Sequence, residues 1–198
     1  MRFLALDWEG SHKNPQLGCP VQCGIALMED SEVIASDEWI IRQPVHYKTG
    51  KPTKEVDANA LAISGITLEQ MEREGLTPLE SCNRLEKFVR QNEARSLRVL
   101  TFNASYDLAT YRNHLFDGGG WHATERGVFS PYPEILGATW TCIMATARHL
   151  VNIPKYSLDS VAEHLGMSRE TEIHGALEDA ILAGRCYVEM LSRCKVTS

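Results

Sequence analysis

Hydrophobic and polar positions along the chain change period several times, and each change marks an element. Arg2 to Trp8 is apolar on both faces, which predicts a central strand of a sheet covered on both sides. Val21 to Met28 reads as a second strand. Glu32 to Arg42, with β-branched residues and Trp39, reads as a third. The short links between them fit an antiparallel meander. Gln43 to Glu55 reads as loop, marked by two prolines, Gly50 and three lysines.

Helical punctuation follows. Asp57 predicts the cap of a short helix through Ile63 that Gly65 ends, and Thr67 caps another turn toward Met71. Thr77-Pro78 opens an amphipathic helix with Leu79, Cys82, Leu85, Phe88 and Val89 as its apolar stripe. Leu97 to Phe102 reads as a buried strand and Ser105 to Leu115 as the next helix. Thr139 to Cys142 reads as a short strand leading into a helix to about Leu150. Ser157 caps a helix that Gly166 closes. The last helix runs from about Ala176 to Arg193, with Ala180, Ile181, Ala183, Cys186, Tyr187, Met190 and Leu191 inward. Phe116 to Leu136 is the least regular stretch, with three consecutive glycines and two prolines. The order of elements predicts an α/β fold: a mixed sheet with helices on its faces. At 198 residues, the whole chain (1–198) can form one domain.

Composition changes this picture little, but charge narrows it. Hydrophobic residues make up 43% and charged residues 23%, as in a soluble globular protein. The net charge of −6 excludes broad, lysine- and arginine-driven binding to nucleic acid. It leaves room for a focused acidic site whose sign is reversed by bound divalent cations. No apolar stretch is long enough to span a bilayer, so no membrane partner is expected. The start MRFLALDWEG lacks a small-residue cleavage site. The six cysteines form no CxxC pair and read as thiols in a reducing cytoplasm.

Five residues carry the chemistry. Asp7 and Glu9 stand two apart at the end of the first strand, which puts both carboxylates on one face. Asp107 follows Asn103 by four positions at a strand-to-helix junction. His174 precedes Asp179 by five, at the start of the last helix. Each alone reads as a strand end or a helix-start acid favoured by the macrodipole. Together they form a set of hard oxygen ligands suited to Mg²⁺ or Mn²⁺. Two such ions about 3.5–4 Å apart can stabilise both attacking and leaving oxygens of a phosphodiester displacement. A neutral histidine beside them can accept the proton of the attacking water.

These residues resemble the motifs of the DEDDh (DnaQ-like) 3′–5′ exonucleases, the family of the epsilon proofreading subunit, RNase T and oligoribonuclease. Asp7-Trp8-Glu9 is similar to the first motif, Asn103 to Asp107 to the second and His174 to Asp179 to the third. ALAISGIT, TCIMATAR and YSLDSVAEHLGM resemble supporting segments in the same order. The resemblance implies an RNase H-like fold with a five-stranded sheet, three strands antiparallel and the rest parallel. It implies that Asp7 bridges two ions, that Glu9 and Asp179 complete the site on the nucleophile side, and that Asp107 serves the second ion or its water. His174 is implied as general base, and the products as nucleoside 5′-monophosphates.

Substrate contacts are expected at Gly10, Ser11, Asn103 and Tyr106, and Leu61 and Ile66 are candidates for apolar contact with the last bases, with burial in the core as the equal alternative. Gly10 departs from the family's usual Thr or Ser at that place, and Trp8 is bulkier than usual and is expected in the core on the far face. The implied partners are 3′ ends of single-stranded DNA, with DNA favoured, or of RNA, and either a polymerase or a second copy of the chain. A non-catalytic nucleic-acid-binding module on the same fold is the alternative from a different class; divalent-metal binding separates the two.

Overall fold

The computed structural model describes residues 1–46, 48–119, 122–124, 127–129, 136, 139–169 and 175–196, with side chains left out at 116, 118, 119, 122–124, 127–129, 195 and 196. Strands β1 (Arg2–Gly10), β2 (Pro20–Glu29) and β3 (Glu32–Ile40) form the antiparallel meander. Strand β4 (Val99–Thr101) returns parallel to β1, and β7 (Trp140–Cys142) lies parallel to β4. A separate two-stranded ladder joins β5 (His122–Thr124) to β6 (Gly127–Phe129). The main sheet therefore runs β3-β2-β1-β4-β7, an RNase H-like arrangement with β1 at its centre.

Side chains of β1 alternate between two cores, as the strand period requires. Leu4, Leu6 and Trp8 pack with α3 (Pro78–Gln91) and α4 (Ala104–Gly119). Phe3 and Ala5 pack with α5 (Ile143–Leu150), α6 (Leu158–Leu165) and α7 (Ala176–Val196). Trp8 is thus core on the far face, 3% exposed, with its ring 5.2 Å from that of His114. By the same alternation Asp7 and Glu9 belong to the face that α7 covers. Two short helices, α1 (Ala58–Ser64) and α2 (Leu68–Glu74), close one end over Val21.

Local chemistry accounts for the helix boundaries. Asp57 caps α1 through the Asn59 amide, and Gly65 ends it at φ 67°. Thr67 with Gln70, and Thr77 with Glu80, make reciprocal capping boxes. Ser157 caps α6, and Gly166 at φ 82° ends it.

Three expectations are corrected. Leu79 is 49% exposed: at 100° per residue it falls off the inner stripe of α3, and Ser81 points inward instead. The Ser81 hydroxyl accepts from the Trp39 indole at 2.6 Å and lies 2.8 Å from His114 Nε2. Burial pushes His114 down to about 3, so this network is neutral. The helix expected to end at Leu115 continues to Gly119, and the Phe116 to Leu136 stretch includes the β5–β6 ladder. The remainder of that stretch, apart from Leu136, lies outside the described residues. Among the described residues, no helix is long and apolar enough to cross a membrane.

Candidate active site

Three parts of the fold deliver carboxylates to one cleft at the carboxyl end of β1. Asp7 stands opposite Gly24 of β2, and Glu9 opposite Gln22. Beyond β4, the Asn103 carbonyl accepts from the amides of Tyr106 (2.9 Å) and Asp107 (3.1 Å), which starts α4 and sets Asp107 in its first turn. Asp107 is 2% exposed.

Asp179 arrives by a tertiary route. The first amides of α7 have no earlier helical carbonyl to bond, and side chains of the sheet take them instead. The Ala176 amide donates to Gln22 Oε1 at 3.2 Å, and the Leu177 amide to Glu38 Oε1 at 2.9 Å. Gly24 lets the helix start touch the sheet, since a Cβ there would overlap backbone atoms of Ala176 and Leu177.

One carboxylate oxygen from each of Asp7, Glu9 and Asp179 lies within 4.8 Å of the others. Asp107 faces them across a cleft of about 270 Å³ that Asn103, Tyr106, Asp159 and Arg169 also line. Burial, then Asp107, then Glu9 hold the Asp7 carboxyl well above the usual range, with Arg169 opposing them. Glu9 is pushed up to about 7, chiefly by burial, with Arg169 lowering it and Glu38 raising it. Asp107 is likewise pushed up to about 7, by burial and by Glu9, against polar contacts from Thr101 and the Asn103 and Trp8 backbones. Crowded, desolvated oxygen donors that resist their own charge fit a hard divalent cation.

The high pKa values have a measurable consequence. Protons must leave Glu9 and Asp107 before a cation can take their place. Mn²⁺ affinity should therefore rise as pH climbs through about 7, with net proton release on binding near neutrality. Calorimetry in two buffers of different ionisation enthalpy counts those protons.

The remaining expected site residues divide clearly. Tyr106 is half-buried; its hydroxyl donates to the His12 carbonyl at 3.1 Å and is pushed up to about 12, chiefly by burial. That hydroxyl fills the space beside Gly10, where a Cβ would overlap it. The glycine that departs from the family pattern is thus the partner of this tyrosine. Gly10→Ala should cost about 1–3 kcal/mol, and adding Tyr106→Phe should recover much of it in a double-mutant cycle of unfolding free energies.

Ser11 is fully buried rather than open to a ligand: its hydroxyl donates to the Glu55 carbonyl at 2.7 Å and accepts from the Cys19 amide at 2.9 Å. Leu61 and Ile66, 8% and 7% exposed, pack with Val21 and Met71 beneath α1 and α2. Asn103 is half-buried and accepts from the Ser105 hydroxyl at 2.8 Å. Gly10 and Tyr106, with Glu9, His12, Lys13 and Ile63, line a second hollow of about 440 Å³. His174 lies outside the described residues; the next residue, Gly175, accepts from the Asp179 amide at 2.9 Å.

Two residues of the cleft have no place in the motifs. Arg169 pairs with Asp179 and, through Nε, with Asp159 Oδ1 at 2.5 Å. Asp159 lies just inside the YSLDSVAEHLGM segment and Arg169 just beyond it, and neither residue was singled out by the motifs.

The sheet order defines an RNase H-like fold, and comparison with known structures agrees. The chain is 24% identical over 206 residues to the PolC-type DNA polymerase III of Thermotoga petrophila, across 98% of this chain. It spans only 12% of that relative's length. Among solved structures, it is similar to the nuclease domain of 3′hExo, a DEDDh family member bound to rAMP, at TM-score 0.68 and 17% identity, over 97% of this chain and 92% of that one. It is also similar to E. coli Exonuclease I in complex with a 5cy-dT13 oligonucleotide, at TM-score 0.72 and 15% identity, over 99% of this chain and 41% of that one. No family model matches the chain. The chain thus shares its fold with these 3′-exonuclease structures and is similar in sequence to a segment of the PolC-type polymerase.

Proposed function

We propose that this chain is a metal-dependent 3′–5′ exonuclease that removes nucleoside 5′-monophosphates from single-stranded ends, with DNA as the favoured polymer. The observation that carries the reading is the meeting of Asp7, Glu9 and Asp179 within 4.8 Å, with Asp107 across the cleft. Two Mg²⁺ or Mn²⁺ ions held by these four carboxylates would supply charge stabilisation for the attacking and leaving oxygens.

The chain's own residues do the rest. His174 takes the proton of the attacking water. Asn103 and Tyr106 border the place of the terminal nucleotide, next to the backbone of Gly10. Leu61 and Ile66 support α1 at the edge of the path of the strand, and Ser11 holds the loop behind Gly10. Stacking and apolar contacts of this kind accept any base. Residues 1–198 form one domain in this reading, in which two helical layers share a single sheet. The enzyme is expected in the cytoplasm, where its six cysteines stay as thiols.

The preference for DNA rests on the DNA polymerase relative, in which a proofreading role would require a polymerase in the same chain or beside it. The rAMP complex of 3′hExo supports RNA as the second reading. Matched single-stranded DNA, duplex DNA and RNA, each labelled at the 5′ end, separate these readings. With Mn²⁺, single-stranded DNA should shorten stepwise from its 3′ end, fastest of the three, and chelator should stop it. Faster loss of RNA would make the chain an exoribonuclease. All three substrates intact with Mn²⁺ would return it to a binding module.

A further inference from the structure

The acidic cleft already contains a cation of the protein's own. The Arg169 side chain is 11% exposed and pairs with Asp179, whose side chain is 8% exposed. Its Nε bonds Asp159, which lies at the outer, solvent side of the cleft with 57% of its side chain exposed. Asp179 thus belongs to two sets at once: the three-carboxylate group and the arginine pair.

A guanidinium cannot shed its proton in a protein, so it can only stop neutralising Asp179 by moving away. A carboxylate paired to a guanidinium offers less of its oxygen charge to a metal ion. Three converging carboxylates left without any cation would repel one another in a desolvated site. Both roles, neutralisation and ligand competition, fall on one side chain.

We infer that Arg169 is the resident counter-cation of the carboxylate cleft, and that a divalent ion binds by displacing it from Asp179. This inference rests on the exonuclease reading, because it needs Asp179 to be a metal ligand. It makes Arg169 a positioning residue that keeps the empty site folded and lowers its metal affinity. Loading then exchanges one cation for another, so the cleft is not left as a bare acidic cluster at any stage.

The test is Mn²⁺ binding by calorimetry, with thermal midpoints measured with and without Mn²⁺, on the full chain and on Arg169→Gln and Arg169→Lys. The competition predicts opposite signs. Arg169→Gln should bind Mn²⁺ roughly tenfold tighter than wild type. Its midpoint without metal should fall, and saturating Mn²⁺ should restore it. Arg169→Lys keeps the charge without the planar fork, so its affinity should lie between the two; it also reads the effect if the Gln variant does not fold. Mn²⁺ affinity that is unchanged or weaker in both variants overturns the competition while leaving the exonuclease reading intact. Absence of Mn²⁺ binding in wild type and variants alike overturns the exonuclease reading and the competition with it.

Discussion

Asp7→Ala should slow cleavage of single-stranded ends by about 10³-fold, equivalent to about 4 kcal/mol of transition-state stabilisation, without unfolding the protein. The two effects separate because the residue's burden lies in the folded state. Burial and the neighbouring Asp107 and Glu9 hold its carboxyl well above the usual range. Removing one member of a repelling set relieves the others, so the metal-free variant should be at least as stable as wild type. A core residue would behave the other way, losing stability and activity together.

The same physics gives the metal-free protein a pH dependence with a definite sign. Glu9 and Asp107 are pushed up to about 7 in the folded protein, against ordinary values of 4.5 and 3.8. The folded state therefore holds protons that the unfolded chain has already released. The stability contribution is fully present below those lower values and is lost as pH rises through about 7. Mn²⁺ should remove most of this loss, because the cation takes over from the protons. Asp7→Ala should flatten it as well.

Gly24→Ala should be the most damaging single-methyl change. The added Cβ would overlap the backbone at Ala176 and Leu177, and backbone cannot swing aside as a side-chain tip can. An overpacked contact of this kind costs about 3 kcal/mol, or roughly 6–12 °C in midpoint for a chain of this size. The helix start that must retreat carries Asp179, so the carboxylates separate. A displacement of about 1 Å at a reacting centre can cost about 10²-fold in rate. Denaturant unfolding, together with cleavage rates at a temperature where the variant is folded, measures both losses. A variant as stable and as active as wild type would mean that α7 does not rest on β2 as described.

The parts of the site that were legible in the chain are those set by local spacing. Asp7 and Glu9 share a face because the strand repeats every two residues. Asn103 and Asp107 are one helical turn apart, and the Asn103 carbonyl to Asp107 amide bond makes that turn. The caps at Asp57, Thr67, Thr77 and Ser157 were readable for the same reason: the capping atom and its amide are near neighbours. What joins distant segments was not readable. Gln22 and Glu38 cap α7 from other strands, more than 130 positions away in sequence. Tyr106 needs Gly10 across a sheet-to-helix contact. Arg169 stands among charged residues whose pattern reads as solvent-facing, and only the folded cleft makes it a neighbour of Asp179. Leu79 shows the opposite error, an apolar residue at near-helical spacing that falls just outside the buried stripe.

The proposed chemistry requires Asp7, Glu9 and Asp179 to act as one metal site. Crystals of the full chain soaked with Mn²⁺ and a nucleoside 5′-monophosphate, measured at the manganese absorption edge, answer this directly. The expected result is an anomalous peak bounded by Asp7, Glu9 and Asp179, a second on the Asp107 side, and the nucleotide phosphate against both. Fully occupied Mn²⁺ elsewhere on the protein, with Arg169 still paired to Asp179 and the carboxylate cleft free of density, would contradict it.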